Sequence, residues 1–202
     1  ELTPRCFPIR SPLHMKQKSL GILGLLLLSI QAAFPLEIQG VQVPPQVGLN
    51  GQTLTLNGAG LRTVTIAFIP IKAYVAAFYA PSTLKSEEAV LASTGPMQFT
   101  FTFLKSVSQG QVTDAWQSQI KASMTYNYPG VEKDCAAFVG MFGALAQGGV
   151  EMVQLIGTET LIYDGGQLKG TIQGPDFQKA FLSMWFGSNP VQQDLKAALL
   201  GN

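Results

Sequence analysis

The chain has 202 residues, of which 47 % are hydrophobic and only 12 % charged, roughly half the usual charged share of about a quarter. That composition excludes a disordered chain, and without a repeat period solenoids and propellers are excluded too. The formal net charge of +1 gives no electrostatic reason to expect a nucleic-acid partner, and the length suits one domain with a real core.

Residues 1–14 are rich in Pro and Arg and show no periodicity. Met15 follows, then Lys16, Gln17 and Lys18, an apolar run ending at Ile30, and the small residues Ala32 and Ala33. This order predicts a secretory signal peptide over 15–33, with 1–14 as a mis-start ahead of it. The apolar run falls short of the roughly 20 residues of a membrane helix. The expectation is therefore an exported protein, periplasmic or secreted, with no stable membrane span once residues 1–33 are removed. The rest of the chain then carries nine Lys+Arg against eleven Asp+Glu, a net charge of −2. His14, the sole histidine, leaves with that segment, and so does Cys6. Ser-His-Asp and Cys-His catalysis, histidine metal sites, Cys-rich zinc sites and an internal disulfide are all excluded on this reading. No metal, cofactor or catalytic residue is assigned. Cys135 lies in an apolar helical stretch and reads as a buried, inert thiol.

Residues 34–48, with Pro35, Pro44 and Pro45, read as a linker or edge segment. Two strand-like runs follow, 61–68 and 71–79, joined at Ile69-Pro70. A short helix is expected over 86–92, with Ser86 as its cap and Glu87 and Glu88 in its first turn. Over 97–104, Met97, Phe99, Phe101 and Phe103 alternate with Gln98, Thr100 and Thr102, which predicts a half-buried strand. Val112, Trp116, Ile120 and Met124 recur at helical spacing within 108–124. A turn at 126–130 and a very apolar helix over 131–146 come next. Strands are expected at 150–156, 158–163 and 167–172, with Asp164-Gly165-Gly166 as a hairpin turn. Gly174-Pro175 and Asn189-Pro190 open two closing helices. Strands, helices, strands, then helices indicate an α+β domain with an antiparallel sheet and helices on one side. The glycines form neither a G-x-G-x-x-G nor a P-loop, so no nucleotide cradle is expected.

Arg62 is the one arginine beyond the leader, and period 2 sets it on a strand face with Val64, Ile66 and Phe68. A guanidinium keeps its charge, so it must reach water, pair with a carboxylate or meet an anionic ligand. No acid lies between Glu37 and Glu87, and a solvated strand-end arginine is the commoner case. Tyr74 lies on the next strand. A strict two-residue turn at Ile69-Pro70 sets it on the face opposite Arg62, whereas an odd loop or a bulge unites them. The helical aromatics, Trp116, Phe138, Phe142, Phe181, Trp185 and Phe186, read first as core, with a ligand cavity among them as the alternative.

The segments LNGAGLR at 56–62, IKAYVAAFY at 71–79, FQKAFLSMWFG at 177–187 and PVQQDLKAALL at 190–200 resemble, in that order, the chalcone isomerase-like family, and the hairpin at 164–166 with Gly170-Thr171-Ile172 fits as well. The resemblance covers a domain at 49–202. It implies an open-faced β-sandwich of chalcone isomerase type, with a large antiparallel sheet under a layer of helices and a ligand cleft between them. The family holds enzymes that cyclise chalcones and non-catalytic fatty-acid binders. In both an arginine follows Gly-Ala-Gly-x, the place of Arg62. Tyr74 matches the binders, in which arginine and tyrosine hold a carboxylate. The enzymes' paired tyrosine and asparagine fall on Gln111 and Ser118, and their late-helix Thr or Ser falls near Ser183 or Met184. The resemblance thus implies a binding protein for a small amphipathic carboxylate such as a fatty acid, with Arg62 and Tyr74 as ligand-binding residues. An isomerase of chalcone type and a structural domain with a closed cleft are the alternatives.

Overall fold

The computed structural model describes residues 34–202; the expected leader lies outside the described residues. Nine strands and five helices follow one another along this part of the chain. The first two, β1 (Leu36–Ile38) and β2 (Val41–Val43), form a small hairpin of their own. The next seven pair antiparallel, each with its successor, into one sheet: β3 (Gln46–Leu49), β4 (Gln52–Ile66), β5 (Ile69–Ala80), β6 (Met97–Phe103), β7 (Val150–Ile156), β8 (Glu159–Asp164) and β9 (Gln167–Gln173). The helices are α1 (Glu87–Ala92), α2 (Gln109–Ser123), α3 (Tyr128–Gly140), α4 (Pro175–Phe186) and α5 (Gln193–Leu199).

Strand alternation sorts the core into two clusters. Tyr74, Ala76, Phe78 and Ala80 of β5 join Phe99 and Phe101 of β6 and the helices in the larger one. Val75, Ala77 and Tyr79 face the other way, onto β2, β3 and Leu54. Tyr79 donates its hydroxyl to Pro44 O at 3.1 Å. Helix α4 touches each of the other four helices and buries every residue from Ala180 to Phe186. Its Phe181, Trp185 and Phe186 pack on Phe99, with ring centroids 5.3, 5.8 and 6.0 Å away. The expected α+β architecture, a large antiparallel sheet under helices, is what the chain adopts.

Five boundaries differ from the sequence reading, the first being β4, which begins at Gln52 rather than at 61. The segment read as a linker or edge holds β1, β2 and the start of edge strand β3, because buried Val43 anchors it to the outer face. The β4–β5 turn is Ala67-Phe68, not Ile69-Pro70. Both turn residues have positive φ, 47° and 66°, as a type I′ hairpin requires. Pro70 is tolerated within β5 because β6 pairs with β5 only from Tyr74 onward, leaving one neighbour at Pro70. Helix α3 starts and ends earlier than its apolar pattern implied, with Pro129 in its first turn. Beyond it Leu145 bridges to Val107 through two backbone hydrogen bonds, 2.8 and 3.0 Å, so a tertiary pairing replaces the last helical turn. Helix α5 begins at Gln193 rather than at Asn189-Pro190, after an extended Gln192.

Candidate functional site

The segment from Asn57 to Arg62 is shaped by the approach of α5. Asn57 is an extra residue in β4, at a register shift between Leu56 and Gly58. Its buried amide donates to Leu84 O and Leu199 O at 2.9 and 2.8 Å and accepts from Leu84 N–H at 2.6 Å. A Cβ on Gly58 would run into the Ala198 and Leu199 carbonyls, and one on Gly60 would meet Ala198 Cβ and Leu195 Cδ1 at 2.7 and 2.9 Å. The glycines thus admit a helix against the strand, and the next residue on that face, Arg62, lies at the N-terminal end of α5 beside Gln192.

A second register shift sets Arg62 directly opposite Tyr74, while Thr63 pairs with Lys72 and leaves Ala73 as the extra residue in β5. Directly opposed residues share a face. The bulge thus gives the arrangement that a regular two-residue turn at Ile69-Pro70 forbids, and Lys72 donates its ammonium to Gln39 Oε1 at 2.8 Å. Gln192 secures the irregular place. Its Oε1 accepts from Thr63 N–H at 3.0 Å and from Arg62 Nη1 at 3.3 Å, and its Nε2 donates to Leu61 O at 3.2 Å. Arg62 Nη1 also donates to Thr63 O at 2.9 Å. Its buried Nε–H has no partner among the described residues. The one ion pair among the described residues joins Lys196 to Glu87, so Arg62 meets no carboxylate there.

Tyr74 is buried and donates to Gln119 Oε1 of α2 at 3.4 Å. Burial pushes its phenol above the usual range; the Arg62 guanidinium pulls the other way, and Glu151 adds to the rise. Tyr74 is therefore a neutral hydrogen-bond donor. It lines a cavity of about 360 Å³ between the sheet and α2, with Val64, Ile71, Phe103, Val112 and Trp116 as apolar wall. Arg62 is not in that wall; it lies opposite Tyr74 across the β4–β5 pair, and Val64, the next residue on its face, is in the wall. Gln119 and Gln192 were not singled out by sequence reasoning, since nothing local marks a glutamine as a long-range partner.

Glu151 was also missed. It lies on β7 opposite Phe101 and Asp164, is wholly buried, and lines the same cavity. Its Oε2 accepts Trp116 Nε1–H at 3.1 Å, whereas Oε1 has no partner among the described residues. Burial pushes its carboxyl up to about 8; the Trp116 hydrogen bond opposes that rise and Asp164 adds to it. The sequence did hold a signal: Glu151 alternates with Val153 and Leu155 on a buried strand face, the same pattern that marked Arg62.

The remaining candidate positions serve the scaffold. Gln111 borders the cavity but closes a capping box with Ser108, and Ser118 is exposed. Ser183 Oγ donates to Ala180 O at 2.7 Å and accepts from Thr125 N–H at 3.2 Å, and Met184 is fully buried. Of the helical aromatics, only Trp116 reaches the cavity; the others are core. Burial pushes the Cys135 thiol up to about 11, as an inert cysteine requires. A second hollow of about 480 Å³, between α1 and α4, contains none of the sequence candidates.

No curated protein matches the sequence. Among solved structures, a fatty-acid binding protein of Arabidopsis thaliana superposes with a TM-score of 0.64 at 13 % identity, over 80 % of this chain and 92 % of that one. At such identity the likeness establishes the fold. A family model described as chalcone isomerase-like matches residues 35–201, including the strands of the segment at 36–49. The chain belongs to the chalcone isomerase-like family.

Proposed function

We propose that this protein is a non-catalytic binder of a small amphipathic carboxylate such as a fatty acid, exported to the periplasm or secreted by way of the signal-like segment at 15–33. The observation that carries this reading is the unmatched cation. Arg62 is half-buried, faces no carboxylate among the described residues, keeps a buried Nε–H unbonded and lies opposite Tyr74, which lines an apolar cavity. A ligand carboxylate at Tyr74 would take charge-assisted hydrogen bonds from the guanidinium and a further bond from the phenol. Its alkyl chain would lie along Phe103, Val107 and Val112, with each buried methylene contributing about 0.8 kcal/mol. The solved fatty-acid binding protein of like fold supports this ligand class. The cavity itself argues against a structural domain with a closed cleft.

The test is fatty-acid binding by titration calorimetry, compared across wild type, Arg62→Ala and Tyr74→Phe. Arg62→Ala is expected to weaken binding by at least about tenfold, the worth of a charge-assisted bond, and Tyr74→Phe by less. Undiminished binding by Arg62→Ala overturns the reading.

A second reading, an intramolecular lyase of chalcone isomerase type, draws on Glu151: an acid raised to about 8 in the cavity wall suits proton transfer near neutral pH. Chalcone turnover well above the spontaneous rate, lost in Glu151→Gln, favours it over the binder.

A further inference from the structure

The carboxylate clamp leaves the cavity's one buried acid, Glu151, unused. Glu151 is 0 % exposed, lines the cavity, and bonds Trp116 through Oε2 alone. Its Oε1 is buried and unpartnered among the described residues, and such an oxygen in a folded protein calls for a partner. Asp164, its cross-strand neighbour, does not fill that place: its Oδ2 accepts from Gly143 N–H at 3.0 Å, and its Oδ1 has no partner among the described residues. The cavity that Glu151 lines is walled by Phe103, Val107, Val112 and Ala115 among its apolar residues, with Ser106, Asp114 and Gln119 among its polar ones. A plain alkyl chain laid there would keep Oε1 dry and unpaired. A ligand anion is no better suited, because two acids face each other and the cavity's lysines, Lys72 and Lys105, are exposed residues at its rim. A hydroxyl fits either form of the acid, donating to a carboxylate or accepting from a carboxyl O–H.

We propose that Glu151 is a second ligand anchor, taking a hydroxyl group, and that the cavity is built for hydroxylated acids rather than for plain alkyl acids. This rests on the carboxylate-binding reading and refines its ligand class. Tyr74 and Glu151 stand on strands separated by β6 and pair there with Phe103 and Phe101, two residues apart, so two strand spacings and two residue rises set their backbones about 12 Å apart. The hydroxyl therefore belongs away from the carboxylate, along the chain.

The test titrates the protein with decanoic acid and with its monohydroxy isomers, the hydroxyl stepped along the chain. At least one isomer is expected to bind about tenfold tighter than decanoate, the gain from one buried hydrogen bond to an ionisable group. Glu151→Leu is expected to erase that gain while keeping decanoate binding, and Glu151→Gln to retain part of it. Should Glu151→Leu not fold, the wild-type series and Glu151→Gln still decide. If decanoate binds and no isomer binds tighter, or if the gain survives in Glu151→Leu, the anchor is overturned and the clamp stands. If neither decanoate nor any isomer binds, the carboxylate reading falls and takes this inference with it.

Discussion

Arg62 and Tyr74 face one another across β4 and β5 only because Ala73 is extra in its strand, and Gln192 bonds the backbone that the irregularity frees. The side chain of Gln192 thus serves two ends: it satisfies Thr63 N–H and Leu61 O, and it orients the guanidinium. Gln192→Ala is expected to reduce stability by about 1–2 kcal/mol, the range for partly buried polar groups left unpaired, and to weaken fatty-acid binding severalfold without removing it. Urea denaturation and calorimetry on the same variant check both. A stability loss with unchanged affinity would limit Gln192 to the scaffold.

Gly58 and Gly60 admit α5 to β4. Gly58→Ala sets a methyl against the Ala198 and Leu199 carbonyls, which are backbone and yield little, whereas at Gly60 the obstacles are the Ala198 and Leu195 side chains. Gly58→Ala is expected to destabilise by about 3 kcal/mol and Gly60→Ala by about 1–2 kcal/mol, the range for overpacked contacts. The order of their urea midpoints is the check. Equal midpoints would mean that α5 shifts as a unit.

Where a signal is local, the amino-acid sequence carries it. The alternation of Met97, Phe99, Phe101 and Phe103 marks β6, and the turn residues Asp164-Gly165-Gly166 locate the hairpin of β8 and β9. The N-terminal cap of α1 is legible in the same way, through Ser86. The β4–β5 turn is not, since Ile69-Pro70 carries the usual turn chemistry and Ala67-Phe68 does not. A bulge at Ala73 leaves no local trace either, so the sequence leaves the shared face of Arg62 and Tyr74 open. Gln119 and Gln192 act across long stretches of chain, and only the fold brings them to the site. Glu151 could have been found from period 2 alone.

The turn at Ala67-Phe68 holds two ordinary L-residues at positive φ, and Phe68 is 98 % exposed. Its side chain contributes almost no burial to offset that strain, which is about 1 kcal/mol or more per residue. Replacing the pair with Asn-Gly supplies residues suited to a type I′ turn. The double variant Ala67→Asn/Phe68→Gly is expected to gain about 1 kcal/mol in stability, read as a higher thermal midpoint. An unchanged or lower midpoint would show that the apolar tip itself supports the hairpin.

Glu151 also makes stability depend on pH, with a sign opposite to that of most carboxylates. Its carboxyl is raised from 4.5 to about 8 in the folded chain, chiefly by burial. Unfolded, the group loses its proton above about 4.5; folded, it keeps the proton until about 8. Between these values the native state binds more protons than the unfolded state, so stability falls as pH rises. Its contribution is complete below about 4.5, is lost through the interval and is gone above about 8. The slope has a ceiling of about 1.4 kcal/mol per pH unit, reduced by any water that enters the cavity. Glu151→Gln keeps an oxygen for Trp116 Nε1–H but cannot titrate. Its stability should therefore change less with pH between 5 and 8 (~3 pH units within the titration window) than that of the wild type, and the two curves should converge toward the acid end. Parallel curves would mean that Glu151 is already ionised in the native state, held by a cation or by solvent within the cavity.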